Sequence, residues 1–340
     1  MAAPTSEVSH HQSILSVKAV AESCIQSVPS KYHFVNDING SPSDSIPIID
    51  FSLLTSTNLH HRSKALQELD KACVEWGFFV LVNHGIPENT MRSLLDGSVE
   101  FFELTNEEKQ RYEPKGVLDP IMSGNGSMPN SESHTILAWR DFLKINLHPT
   151  FYCPEKPETL RDILWDYSVR VRNVFRRLVE AVAENLELEQ GYMDDVLKLD
   201  SCFQRFVANY YPPCPQPDQV MGTPPHVDYG LFTLLIHNGL PGLQIQHNGE
   251  WFKPDHSPPN SLLVNIGQHL EIFSNGRYKA IKHRAVVNNH SPRISIIIVN
   301  GAAPDAIVGP AAPLVERDGR ALYRPMEFME SVRAMLTNRY

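Results

Sequence analysis

Phe232-Thr-Leu-Leu-Ile236, Leu243-Gln-Ile245, Ser261-Leu-Leu-Val-Asn-Ile266 and Ile294-Ser-Ile-Ile-Ile-Val299 are short β-type runs separated by Gly, Pro and Asn turns. Together they predict a β-sandwich or barrel built from the chain after Cys202. His247-Asn-Gly-Glu250 carries the Asn-Gly of a tight hairpin between Leu243-Gln-Ile245 and Trp251-Phe252.

Upstream of Cys202 helical spacing dominates. Leu66, Leu69, Cys73 and Trp76 recur at helical intervals, and Leu160, Leu164, Tyr167, Val171, Phe175 and Leu178 place a long amphipathic helix within Pro157 to Leu188. Ile46-Pro-Ile-Ile-Asp-Phe51 and Phe78-Phe-Val-Leu-Val82 are strand signals. Pro87-Glu88 suits the first turn of a helix, and Thr105-Asn-Glu-Glu108 has capping-box spacing. Glu113 to His134, rich in Gly, Pro, Ser and Asn, predicts a mobile surface loop. Residues 1–45 form a polar arm with one candidate helix near Ser16 to Gln26. The chain therefore divides into that arm, a helical and strand region over 46–200, a β core over 201–302 and a tail over 303–340 ending in a short amphipathic helix. The class is α+β, mainly β with helices.

With 340 residues and 42% hydrophobic composition the chain can bury a large core. No apolar run is long enough for a bilayer. Met1 to Gln12 has neither a basic cluster nor an apolar h-region, so no signal or transit peptide is predicted and the expected location is cytoplasmic. Five cysteines without a CxxC pair predict reduced, mostly buried thiols. A formal charge of -9 repels phosphate backbones and argues against a nucleic-acid partner; no membrane partner is expected either. No motif encodes an oligomeric state, and a monomer is compatible with the sequence.

Pro225-His226-Val-Asp228 carries the candidate chemistry, because residues i and i+2 of a strand share one face about 7 Å apart and can grip one metal. Chance alone supplies about 1.7 His-x-acid pairs in a chain of this composition, so context must decide. The other such pair, His269-Leu-Glu271, follows an apolar strand and reads as a structural, hydrogen-bonding histidine. His226 and Asp228 instead precede a β run, and His283 follows as a third candidate ligand. Two imidazoles and one carboxylate suit Fe(II) and leave adjacent positions open. Arg293-Ile-Ser295 puts a guanidinium and a hydroxyl on one strand face, apt for a carboxylate, though an exposed edge arginine has the same pattern. Asn209-Tyr-Tyr-Pro-Pro-Cys-Pro215 adds amide and phenol groups, or a plain proline turn between core tyrosines.

These strings, together with Glu75-Trp-Gly-Phe-Phe79, Val82-Asn-His-Gly85, Pro241-Gly-Leu-Gln-Ile245, Asn265-Ile-Gly267, Ser274-Asn-Gly-Arg-Tyr-Lys279 and His283-Arg284, resemble the plant 2-oxoglutarate/Fe(II)-dependent dioxygenase superfamily, in particular its specialised-metabolism branch. The resemblance spans roughly Ile46 to Ala302. It implies a double-stranded β-helix, or jelly-roll, with iron held by His226, Asp228 and His283. It also implies that Arg293 and Ser295, helped by Tyr211, bind the distal carboxylate of 2-oxoglutarate, with Asn209 near the iron. His84 has no expected ligand role. Gln268 departs from the acidic residue of many relatives, which predicts an effect on local packing with the metal site intact.

The implied reaction couples O2 and 2-oxoglutarate, giving succinate and CO2, to oxidation of a small hydrophobic organic molecule, by default hydroxylation, with ascorbate as the usual reductant in vitro. Flavonoids, terpenoids, coumarins and alkaloids are the expected classes. Candidate pocket walls are Trp139 to Lys144, including Phe142 and Lys144, with Val227, Val299 and the terminal helix near Met326 and Phe328. Two rivals share these residues: a zinc hydrolase using the same triad, and a jelly-roll ligand-binding protein without turnover.

Overall fold

The computed structural model describes residues 16–34, 46–129, 135–254 and 257–337. After α1 (Val17–Glu22) come β1 (Ile48–Asp50), α2 (Phe51–Leu54), α3 (Leu59–Glu75), β2 (Phe78–Val82), α4 (Glu88–Glu103), α5 (Asn106–Gln110), β3 (Ile121–Pro129), β4 (Thr135–His148), α6 (Leu160–Asn185) and α7 (Tyr192–Leu197). The second half runs β5 (Gln204–Tyr211), β6 (Thr223–His226), β7 (Phe232–His237), β8 (Leu243–His247), β9 (Glu250–Phe252), β10 (Leu262–Ile266), α8 (Gln268–Phe273), β11 (His283–Ala285) and β12 (Arg293–Asn300). It closes with β13 (Ile307–Val308), α9 (Ala312–Asp318), β14 (Met326–Glu327) and α10 (Phe328–Thr337). None of the described helices is long and apolar enough to cross a membrane.

Eight strands form one sheet in the order β1-β2-β10-β7-β12-β5-β4-β3, and four form a second in the order β6-β11-β8-β9. Pairing is antiparallel except between β1 and β2, and the two sheets make the jelly-roll. Alternation along each strand decides what faces where. On β12, Ile294, Ile296 and Ile298 point outward into the main core, while Arg293, Ser295, Ile297 and Val299 point between the sheets. On β2, Phe79 and Leu81 join the main core, whereas Phe78 and Val80 join Ile245, Phe252 and Leu263 in a smaller apolar plug between the sheets. That plug lies directly against His283, and the candidate site occupies the cavity beside it between the sheets.

The outer face of the large sheet is covered by helices. α6 buries Leu160, Leu164, Tyr167, Val171, Phe175 and Leu178, as its spacing predicts, and packs beside α3 and α4. The capping box at Thr105 and Glu108 is present. Pro87 is the N-cap of α4, one position earlier than expected, its extended backbone (φ -63°, ψ 139°) leading into the first turn at Glu88. Asn248 (φ 51°) and Gly249 (φ 85°) both adopt the left-handed region that a two-residue hairpin between β8 and β9 requires.

Two expectations are corrected. Part of the stretch from Glu113 to His134 is strand: β3 pairs with β4 from Ile121↔Ile145 to Pro129↔Thr135, with residues 130–134 outside the described residues. Its glycines mimic a loop, but a Cβ at Gly126 would lie 2.9 Å from both Ala138 Cβ and Arg140 Nε, so the position is one of close packing. Residues 16–34, expected as an arm, dock on the body. Val17 and Tyr32 are fully buried against Trp139, and Asp141 accepts hydrogen bonds from the backbone N–H groups of Val17 and Lys18 at 2.8 and 2.9 Å. Burial pushes the Asp141 carboxyl up to about 6 despite those bonds. All five cysteines are free, and only Cys24 is exposed.

Gly267 caps α8 where two loops cross: a Cβ there would stand 2.4 Å from the carbonyl oxygen of Gly230. Neither backbone can yield without moving the strand ends beside Asp228. Gly267→Ala should therefore cost about 1–3 kcal/mol of stability, read as a lowered midpoint in denaturant; an unchanged midpoint would show that the crossing relaxes freely.

Candidate active site

His226 ends β6, His283 begins β11, and the two are direct cross-strand partners. Their rings tilt toward each other with centroids 4.2 Å apart, and the edge of Phe78 supports His283. Nδ1 of His226 lies 2.8 Å from the carbonyl of Pro224, and Nδ1 of His283 lies 3.2 Å from that of Ile281. Donation of each Nδ1 proton to its own backbone leaves both Nε2 atoms as acceptors pointing inward. They stand 3.5 and 3.7 Å from Oδ1 of Asp228, and the three donor atoms lie within 4.8 Å of one another.

Asp228 is buried, and Asn265 on β10 donates from Nδ2 to its other oxygen, Oδ2, at 2.9 Å. Burial would raise the carboxyl pKa, but His283, His226 and the Asn265 amide outweigh it and hold the group well below the usual carboxylate range. The result is an ionised carboxylate and two imidazole nitrogens turned toward one point, a donor set that fits Fe(II). Asn265→Leu removes the amide that orients Asp228 and should weaken iron binding about 10–100-fold, measured by competition with a coloured chelator; unaltered affinity would make the amide a packing residue only.

Deeper between the sheets, Arg293 stands opposite Tyr211 and Ser295 opposite Asn209 across β12 and β5. Arg293 is buried, donates from Nε to the carbonyl of Leu240 at 3.2 Å and lies 5.3 Å over the Tyr211 ring. Burial pulls its pKa down, yet a guanidinium remains charged at neutral pH. Tyr211 Oη is 2.9 Å from Thr223 Oγ1, and Arg140 Nη1 donates at 2.9 Å to both Thr223 Oγ1 and Asn209 Oδ1. This network joins β4, β5 and β6.

All these groups border one cavity of about 610 Å³. Lys144, Val227 and Val299 line it as expected, and so does Gln268, whose backbone N–H donates to the Asp228 carbonyl at 2.8 Å. Phe142 and Phe328 do not line it. Phe142 sits beneath the Lys144 ammonium, 4.4 Å away, and its ring leans toward Gly124. Phe328 is fully buried against Phe203 and His269. Trp139 alternates to the opposite face of β4 from Arg140 and donates to the Pro212 carbonyl, and Met326 is exposed in β14. The terminal helix reaches the cavity through Met335 and Leu336 instead, and Phe34 reaches it from the N-terminal segment.

His84 and His269 have structural partners. His84 accepts from Ile86 N at Nδ1, with Nε2 by the Asn260 carbonyl. His269 accepts from Gly230 N at 2.9 Å and bridges to Ser331 on α10, and burial lowers its pKa to about 4, so it is neutral. Sequence reasoning included Arg140 in a wall segment and Asn265 in a motif without giving either a role, and it passed over Arg205 and Phe34. Period-two counting back from Tyr211 through Asn209 and Val207 places Arg205 on the cavity face and could have found it.

Residues 202–300 match the family described as the 2OG-Fe(II) oxygenase superfamily, and residues 46–165 match the one described as the non-haem dioxygenase in morphine synthesis N-terminal. Over 306 residues, 89% of each chain, the sequence is 40% identical to 2-oxoglutarate-dependent dioxygenase 19 of Oryza sativa subsp. japonica. This chain belongs to the 2OG-Fe(II) oxygenase superfamily. The oxygenase is also similar to Protein DMR6-LIKE OXYGENASE 1 of Arabidopsis thaliana, 35% identical over 89% of this chain and 88% of the other. Its fold matches a crystal structure of JOX2 in complex with 2OG, Fe and JA with a TM-score of 0.84 at 28% identity, covering 95% and 94% of the two chains. It is a 2-oxoglutarate-dependent dioxygenase that uses Fe(II) and 2-oxoglutarate.

Proposed function

We propose that this oxygenase oxidises, in the default case hydroxylates, a small and mainly hydrophobic plant metabolite, with His226, Asp228 and His283 holding iron and Arg293 and Ser295, helped by Tyr211, holding the distal carboxylate of 2-oxoglutarate. The observation that carries the proposal is the convergence of the His-Asp-His donors and the buried Arg293 on one cavity walled also by Val207, Val227, Leu235, Val299, Met335 and Leu336. The crystal complex of JOX2 with 2OG, Fe and JA supports a small organic substrate beside a 2-oxoglutarate seat.

Bound iron would supply oxygen activation coupled to decarboxylation of 2-oxoglutarate to succinate and CO2. The chain's own contribution is positional and electrostatic. Arg293 fixes one end of the cosubstrate by a charge-assisted pair inside a water-poor sheet interior. Asn265 and the two backbone carbonyls behind the imidazoles fix the donor orientations. The apolar walls present one carbon–hydrogen bond of the substrate and exclude water. Which bond is presented selects among hydroxylation, desaturation, demethylation and ring formation.

The test is succinate release by purified protein given Fe(II), ascorbate, 2-oxoglutarate and O2, with and without plant phenolics, terpenoids and alkaloids. Iron- and 2-oxoglutarate-dependent release, stimulated by a panel member, is expected. Metal-loaded protein that neither binds 2-oxoglutarate nor releases succinate would sink the proposal in favour of a zinc hydrolase, for which the buried Arg293 has no use.

A further inference from the structure

The walls of the cavity are strongly cationic for a site that takes a hydrophobic molecule. Arg140, Lys144, Arg205, Lys282, Arg284 and Arg293 line it against the single carboxylate of Asp228. Iron and 2-oxoglutarate bring opposite and equal charges, so their binding leaves that excess in place. Among these cations Arg293 has the role above, Arg284 is bonded to Gln244 Oε1 at 2.6 Å and stacked on Trp251, Arg140 sits in the Asn209–Thr223 network, and Lys144 stands over Phe142.

Arg205 is different. It is 1% exposed, yet among the described residues its guanidinium makes one hydrogen bond, from Nη2 to the Asp119 carbonyl at 3.0 Å, where Arg140 makes two, and its Nε, like that of Arg140, is buried with no partner. The Asp119 carboxylate acts on Arg205 only through space, and a buried guanidinium whose one hydrogen-bond acceptor is a neutral carbonyl is costly unless a further anion joins it. Arg205 stands opposite Val299 on β12, and Lys144 stands opposite Val207, which puts Lys144 and Arg205 diagonally across the β4–β5 pair on the cavity face. The distance along β5 from Tyr211 to Arg205 is six residues, roughly 20 Å, so this pair lies at the opposite end of the strand from the proposed 2-oxoglutarate seat.

We propose that the substrate is an organic carboxylic acid whose carboxylate is held by Arg205, with Lys144 contributing charge, while its apolar body lies along Val207 and Val299 toward the metal. The proposal rests on the oxygenase function above. A planar fork recognises a carboxylate with two parallel hydrogen bonds, and the neighbouring valines leave space for an apolar skeleton but offer no second polar anchor. Arg205 is thus a substrate-positioning cation distinct from Arg293.

Because the substrate itself is unidentified, the probe is 2-naphthoate, compared with its methyl ester, titrated by fluorescence into anaerobic protein loaded with Fe(II) and 2-oxoglutarate. Wild type should bind the acid at least about tenfold more tightly than the ester. Arg205→Met should abolish that preference and Arg205→Lys should restore part of it, with the thermal melt and 2-oxoglutarate affinity of each variant measured as folding controls. Equal binding of acid and ester by wild type, no binding of the acid at millimolar concentration, or a preference that survives Arg205→Met in a folded protein would each overturn the assignment. Succinate release without any added substrate is measured on the same wild-type preparation, so a failure of the oxygenase reading is seen separately from a failure of the carboxylate proposal.

Discussion

His226→Ala leaves a folded protein that holds little iron and releases no measurable succinate. Three donor atoms converge on one point, so removing one leaves a bidentate site that competes poorly with water and buffer for a divalent ion. The fold should survive, because His226 lies at the very end of β6 with its side chain partly exposed and the strand anchored by its pairing to β11. The expected loss of turnover is on the order of a thousandfold or more, in line with losing a group on which the chemistry depends. Iron stoichiometry, succinate formation and a thermal melt, taken on one preparation, separate loss of metal from loss of fold. A variant with native iron content and native turnover would remove His226 from the centre.

Arg293→Ala acts on the other reactant. Charge-assisted bonds are worth about 1.5–3 kcal/mol each, and losing a two-point grip on a dicarboxylate should raise the 2-oxoglutarate concentration for half-maximal succinate release by roughly a hundredfold. Iron content should stay native, because Arg293 touches Tyr211 and Leu240 and none of the three candidate ligands. Arg293→Lys should fall between the two, keeping charge but losing the fork. Cosubstrate affinity unchanged in the alanine variant would end the role assigned to Arg293.

The two halves of the fold were unequally legible. Strands buried on both faces, such as β10 and β12, announce themselves as apolar runs, and the Asn248-Gly249 hairpin and α6 follow from local chemistry and spacing. β3 was hidden because its place in the sheet rests on backbone pairing with β4 and on glycines that let Arg140 and Phe142 pass over it, features that in a sequence look like a loop. The docked N-terminal segment was hidden as well: a handful of apolar residues and one buried acceptor, Asp141, more than a hundred positions away, are enough to hold it.

Within the site, the His226-Asp228 pair was legible from its spacing alone, although β6 ends at His226 and Asp228 stands in the loop that follows rather than on the same strand face. Asn265 and Arg205 were not, since their roles depend on which strands become neighbours. Phe142 and Phe328 show the limit of pattern in the other direction. A strand face or a helix can be inferred from spacing, but whether an aromatic ring turns into a cavity or packs against Phe203 and His269 is decided by neighbours far along the chain.

Phe34 and the pair Met335 and Leu336 come from opposite ends of the polypeptide, and both border the cavity that holds the candidate metal and cosubstrate groups, of which only Asp228 stands off a strand. Part of the substrate-facing wall is therefore carried by stretches of the gene separate from those that carry the candidate donors. The sheet residues must stay as they are for any oxidation to occur, whereas substitutions near either terminus can reshape the mouth of the cavity without disturbing a donor atom. Descendants of one ancestral oxygenase could thus acquire new substrates partly by change at the chain ends, and exchanging those terminal stretches between relatives would shift selectivity for the substrate's apolar body while leaving both the reaction and the grip of Arg205 alone.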